Sequence, residues 1–282
     1  MPKWSSVKQK SRFASSIESD RDYFQGNLLR DTIVSEMNGS CFENRFTLKK
    51  LTMLEISLTA SIIIIVAFFI LHWYSSLFMQ SFFHHRYASH MQFTIGKFWE
   101  KVFYLVTYLT QGSSYLSPRA YAIMHRLHHA HTDTEKDPHS PKYMRRLSVM
   151  MWRTKKYYMN VFKGRLKVDA KYLKNLPDWK LLDRLGHSWL SRIAWIAGYT
   201  TFYVFFATQW WMYLILPLHF VMGPFHGVII NWFAHKIGYT NYRVNNTSTN
   251  LINVDFLMWG ESLHNNHHMH PGSGMNYDIH AR

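Results

Sequence analysis

The chain has 282 residues, of which 48% are hydrophobic and 17% aromatic but only 17% charged, which excludes a disordered acidic or low-complexity protein. Lys and Arg number 32 against 17 Asp and Glu, a formal charge of +15. In a soluble protein that charge would raise nucleic acid as a partner, but whole segments carry no charge at all, so its distribution points to a membrane and no nucleic-acid motif is present. A single cysteine, Cys41, excludes an internal disulfide and a cysteine metal cluster.

Residues 1–50 are polar and basic, from Lys3 to Lys50, and read as a solvated N-terminal extension without the apolar core of a secretory signal. The run from Ile56 to Phe83 exceeds the ~20 apolar residues that cross a bilayer. It gives at least one span; whether it takes Leu51 to Ile56 into a second short crossing or forms one tilted helix stays open. Residues 91–124 are amphipathic, broken by Lys97, Glu100, Lys101, Gly112 and Arg119, which suits an interfacial helix. Residues 140–188 are strongly basic, with Arg145, Arg146, Lys155, Lys163 and Lys167 among them, and the positive-inside rule assigns them to the cytoplasm. The apolar stretch 189–234 is long enough for two crossings joined near Gln209 to Trp211.

Histidine carries the chemistry. There are 18, roughly three times an ordinary share. Nine fall in four groups: His85 and His90 in HRYASH, His125, His128 and His129 in HRLHH, His235 after Asn231 in NWFAH, and His264, His267 and His268 in HNNHH. On a helix, positions i, i+3 and i+4 fall within about 100° of arc, so each HxxHH group should point one way. His85 and His90 are about 140° apart on an ideal helix and converge only where that helix ends or bends, with His84 then pointing elsewhere. An HxxHH pattern arises by chance ~0.07 times at this histidine content, and here there are two. All four groups emerge on one side of the membrane if 189–234 is a hairpin, and that side is the basic one. Nine imidazoles exceed the four to six ligands of one transition metal, so two ions are expected. His72, His219 and His226 lie in apolar runs outside these patterns and read as packing residues; His131, His139, His187, His270 and His280 read as surface or supporting residues. Asp137 and Glu261 sit beside ligand histidines and could orient an imidazole through its second ring nitrogen. The sequons at Asn245 and Asn246 fall on the cytoplasmic side between ligand groups, where no glycan is added.

These motifs, in this order around paired apolar hairpins, resemble the integral-membrane fatty acyl desaturases. The likeness runs from about residue 70 to 270 and is closest to the bacterial acyl-CoA, delta-9-like branch, including QGSSYLSPRAYAIMHRLHHAHTDTEKDPHSP at 111–141. The resemblance implies an all-α integral membrane protein with three or four transmembrane helices under a cytoplasmic helical cap that holds a di-iron site. The domain would occupy 51–282, with the cap at 84–188 and 235–282. The resemblance also implies one iron on His85, His90, His129 and His268 with Asn231 reaching it through water, and a second on His125, His128, His235, His264 and His267. The implied reaction uses O2 and two external electrons to form a cis double bond in a long fatty acyl-CoA or acyl-lipid. Ferredoxin or cytochrome b5 with an NAD(P)H reductase would supply the electrons, and the basic cap would attract such an acidic donor. Members of the family continue past the last histidine box with a further cytoplasmic segment, while residues 1 to about 50 exceed what the bacterial relatives need. A di-iron fatty acyl or sterol hydroxylase would share the ligands; a decayed, non-catalytic metal-binding homologue should have lost some of them, and none of the nine is missing. A transporter should place its ligands at mid-membrane, which these motifs do not.

Overall fold

The computed structural model describes residues 56–253 and 255–273, and these are helical, with isolated bridges but no strands. The N-terminal extension, Leu51, Cys41 and His280 lie outside the described residues.

Helix α1, Leu58–Met79, starts at Ser57, whose side chain accepts a hydrogen bond from the Ala60 amide. Nothing charged interrupts it, and it does not stop at Met79. It runs on as a π-helical segment, Gln80–Ser89. Together they make a 32-residue element, Leu58–Ser89, long and apolar enough to cross a membrane. Helix α2, Lys97–Gln111, is amphipathic as its charges suggested: Glu100 is buried and accepts from Tyr87 Oη at 2.6 Å, while Phe98 and Trp99 on the other face are exposed.

Helix α3, Pro118–His131, carries HRLHH. Ser117 caps it and Pro118 occupies its first turn, where a missing N–H costs nothing. That start is fixed from below by buried Asp183 on α5, Lys180–His187, whose carboxylate accepts from the hydroxyls of Tyr104, Tyr115 and Ser117 at 2.7–3.0 Å. Arg126 fixes its other side, donating to the carbonyls of Ala88, Ser89, Tyr172 and Lys174. Two of those carbonyls end the π segment, so one guanidinium ties the first histidine motif to the second. Helix α4, Leu147–Phe162, packs on α3 through Tyr158 and Val161.

Helix α6, Trp189–Phe206, covers the first part of the expected hairpin. The return is broken. A 3₁₀ turn, Trp210–Ile215, leads to short α7, Leu216–Phe220, and then α8, Met222–Asn231. The two halves of this return meet at 73°, and they pass a length-and-apolarity test only if taken as one bent span. The described residues therefore offer one membrane-crossing helix, or two counting the bent pair, where the resemblance implied three or four; α6 carries too many polar groups for its 18 residues to pass.

After α8 the chain turns back on itself before α9, His264–Met269. Gly238 has φ +125°, and a side chain there would meet the Asn250 carbonyl oxygen at 2.2 Å, so only glycine lets Tyr239 and Asn250 exchange their backbone bonds.

Candidate metal centre

The π segment solves the spacing problem of HRYASH. In a π-helix the amide of residue i+5 bonds back to the carbonyl of residue i, and here the His90 amide donates to His85 O at 3.1 Å. Residues five apart thus come into line, and His85 Nε2 and His90 Nε2 lie 3.1 Å from each other. The helix widens rather than ending or bending. His84 points away, its Nε2 2.9 Å from the Leu116 carbonyl.

The structure brings all nine motif histidines together in two groups. In the first, His85, His90, His125, His129 and His267 form a closed ring of Nε2–Nε2 contacts, each 2.9–3.1 Å, in the order 85, 90, 125, 129, 267 and back to 85. In the second, Nε2 of His128, His268, His264 and His235 follow one another at 3.0–3.4 Å. This overturns the division implied by the resemblance: His125 and His267 join His85, and His268 joins His128. It also corrects the expectation that each HxxHH points one way. In both motifs the i, i+4 pair converges and the i+3 residue serves the other group. Asn231 lines a cavity of about 40 Å³ that also touches His85 and His125 of the first group and His264 of the second.

Hydrogen bonding among neutral imidazoles cannot account for the ring. A neutral Nε2 carries either one hydrogen or one lone pair, whereas each of the five has two Nε2 neighbours. A central cation accounts for it, because metal–nitrogen bonds of about 2.1 Å give ligand edges of about 3.0 Å in octahedral and about 3.4 Å in tetrahedral geometry. Burial reinforces the arrangement. It pushes His129 down to about 3 and His128, His264, His267 and His268 well below the usual imidazole range, which keeps them neutral and able to ligate.

The second ring nitrogens are held by partners. His85 Nδ1 lies 2.6 Å from Glu261 Oε2, and His128 Nδ1 is 2.9 and 3.0 Å from the Asp137 oxygens. Each carboxylate accepts a hydrogen bond from the Nδ1–H and leaves the Nε2 lone pair facing inward. The neighbouring His85 and Arg86 hold Glu261 below its ordinary value despite burial, whereas burial raises Asp137. Ser81 Oγ donates to Glu261 at 2.5 Å, and the amides of Asp133 and His139 donate to Asp137. Sequence reasoning missed Thr247, whose Oγ1 is 3.2 Å from His235 Nδ1, although the sequon containing it lay between two ligand groups. It also missed the two asparagines inside HNNHH: Asn265 Oδ1 accepts from the Asn241 and Tyr242 amides, and Asn266 Oδ1 accepts from Asn241 and Asn250. His139 is buried against the His128 ring at 4.3 Å, closer to the site than a surface residue.

A helical protein with one or two candidate membrane helices and two buried all-histidine clusters is thus defined. The family model for fatty acid desaturases matches residues 59–277, and the chain belongs to that family. Among curated proteins it is similar to the Delta-9 acyl-lipid desaturase 2 of Arabidopsis thaliana, 29% identical over 67% of this chain and 59% of that one. It is also similar to the sn-1 stearoyl-lipid 9-desaturase of Synechocystis sp., 29% identical over 67% of this chain and 56% of that one. An acyl-CoA 5-desaturase of Anemone leveillei matches at 29% over 66% of this chain and 54% of its own. The chain therefore spans less than two thirds of the length of these relatives.

Proposed function

We propose that the protein introduces a cis double bond into a long-chain fatty acyl group, at position 9, at a centre of two iron ions held by His85, His90, His125, His129 and His267 and by His128, His235, His264 and His268. The closed ring of five Nε2 atoms carries this reading, because it needs a cation, and the family supplies the chemistry. When bound, the irons would supply the oxidising power to take two hydrogens from an unactivated methylene pair, which no ordinary side chain can do. Two external electrons and two protons complete the reduction of O2 to two waters.

The chain's own residues orient and shield. Glu261 and Asp137 hold the Nδ1 protons of His85 and His128 and so fix which nitrogen faces the centre. Asn231 faces the small cavity beside the histidines, where a water would bridge it to either group. Leu77, Met124, Ile230 and Met258 line the same cavity and keep bulk water away from the histidines.

The surface supports a membrane placement. Leu71 on α1, Trp189 and Leu190 on α6 and Trp210 beyond it are widely exposed apolar side chains, which suits a multi-pass protein in lipid. Exposed Arg145, Arg146, Lys155, Lys156 and Lys163 support a cytoplasmic face for the histidine-bearing region. There they attract an acidic electron donor of the ferredoxin or cytochrome b5 type with its NAD(P)H reductase. The similar proteins include both acyl-lipid and acyl-CoA desaturases, with the lipid ones more numerous.

The test is fatty-acid methyl ester analysis with double-bond localisation in a host lacking its own desaturase, expressing this chain or His128→Ala. Oxygen-dependent unsaturation at position 9 that vanishes in the variant is the expected result. Hydroxylated chains would move the protein to the hydroxylase branch, and no new product with donor and reductase supplied would refute the activity.

A further inference from the structure

Besides the cavity at the histidines, the structure has a larger and drier one. A groove of about 570 Å³, within the range of sites that hold small organic ligands, lies between α1 and α8, lined among others by Phe69, Trp73, Ile229, Ile252 and Leu257. The two spaces stand back to back. Phe69, Trp73 and Leu77 recur at every fourth residue of α1, so one helical stripe passes from the groove to the cavity. Adjacent residues of α8 face the two spaces, Ile229 the groove and Ile230 the cavity. Met258 lines both, and it is buried.

Met258 is held from behind. The Asp255 carboxylate accepts from the amides of Met258 and Ser262, both at 2.7 Å, which closes the turn carrying Met258 across the seam. Trp73 Nε1 donates to the Leu257 carbonyl and pins the turn to α1. The backbone of the partition is fixed, while its side chain is the flexible, unbranched thioether. The cavity behind it, at about 40 Å³, has room for a few waters but not for a run of methylenes. A chain reaches the histidines along this seam only when the Met258 side chain moves aside.

The groove's rim says what enters it. Its wall includes Ile70, 48% exposed, on the helix that meets the requirements of a membrane span. The opposite wall includes Leu257, 47% exposed. No charged residue lines it. An entrance with an apolar rim on a spanning helix faces hydrocarbon, and the occupant that hydrocarbon supplies is a lipid tail.

We infer that this groove is a lateral port through which an acyl chain of a bilayer lipid reaches the histidine centre, with Met258 as its gate. The inference rests on the desaturase reading for what happens at the end of the path, and its test does not.

The full-length protein is placed in vesicles containing phosphatidylcholine with a mid-chain diazirine, irradiated without electron donor, and the labelled residues are mapped by mass spectrometry. Leu71 is labelled by simple contact with the bilayer. The port predicts that buried Met258 is labelled too, and that Ile229→Trp, which fills the groove, abolishes Met258 labelling while leaving Leu71 labelled. Ile252→Trp, on the opposite wall, does the same if the first variant folds poorly. Labelled Leu71 with unlabelled Met258 overturns the port, as does labelling indifferent to both tryptophans. Met258 labelled only after residues 1–55 are deleted overturns it as well, since that segment would then be the occupant. Met258 labelling in a protein that forms no double bond would keep the port and refute the desaturase reading instead.

Discussion

This molecule holds two sets of buried histidines, and they differ in how their contacts close. On the apolar side, His72 Nδ1 meets His219 Nδ1 at 2.7 Å and His219 Nε2 meets Tyr203 Oη at 3.0 Å. His72 Nδ1 and both ring nitrogens of His219 have one partner each in these contacts, so one donor and one acceptor satisfy every contact. In the nine-histidine centre five nitrogens of the same kind, Nε2, each have two neighbours, and no arrangement of hydrogens satisfies them. Burial alone therefore does not make a histidine a ligand; the closed ring does.

The comparison breaks first at the metal. His267→Ala and His264→Ala, one from each group, should each lower bound iron from two to about one per chain or fewer and abolish product, measured by elemental analysis and methyl ester profiling. His219→Phe should keep both irons. If it loses them, the two sets belong to one site. Next come the carboxylates: Glu261→Gln and Asp137→Asn should weaken iron binding by about 10–100-fold, read by competition with a chelator, because each replaces the charged acceptor that fixes a ligand's tautomer with a neutral amide.

Acidity gives a third test. The unfolded chain's imidazoles take up protons near 6.5, whereas buried His129 and His139 resist until about 3 and about 4. Their folded values are depressed, so the unfolded state binds more protons in between, and stability is full above 6.5 and falls as pH drops below it. Thermal melts of the metal-free protein should show Tm flat from pH 8 to 7 and falling from pH 6 to 5. The smallest effect is Tyr203→Phe, which removes one neutral hydrogen bond worth about 1 kcal/mol and should lower Tm slightly with iron unchanged.

How much of this could be read from the sequence follows from the range of each interaction. The nine histidines were legible because their spacing is local, and so were the partners Asp137 and Glu261, which lie within nine residues of a motif histidine. The sorting of those histidines was not. It depends on how α3 and α9 cross and on the π geometry of 80–89, and neither leaves a periodicity in the chain. Arg126 and Asp183 were passed over because each acts on groups at least 37 residues away. The first span was plain from an uninterrupted apolar run, whereas the return 210–235 hides a 73° break inside an equally apolar stretch.

The most direct measurement is X-ray absorption at the iron edge of the protein purified with iron, alongside the iron-to-protein ratio. The account predicts two irons per chain, with a first shell of imidazole nitrogens at about 2.1 Å and the outer-shell scattering of histidine rings. A single iron, or a first shell made mainly of carboxylate oxygens, would contradict it.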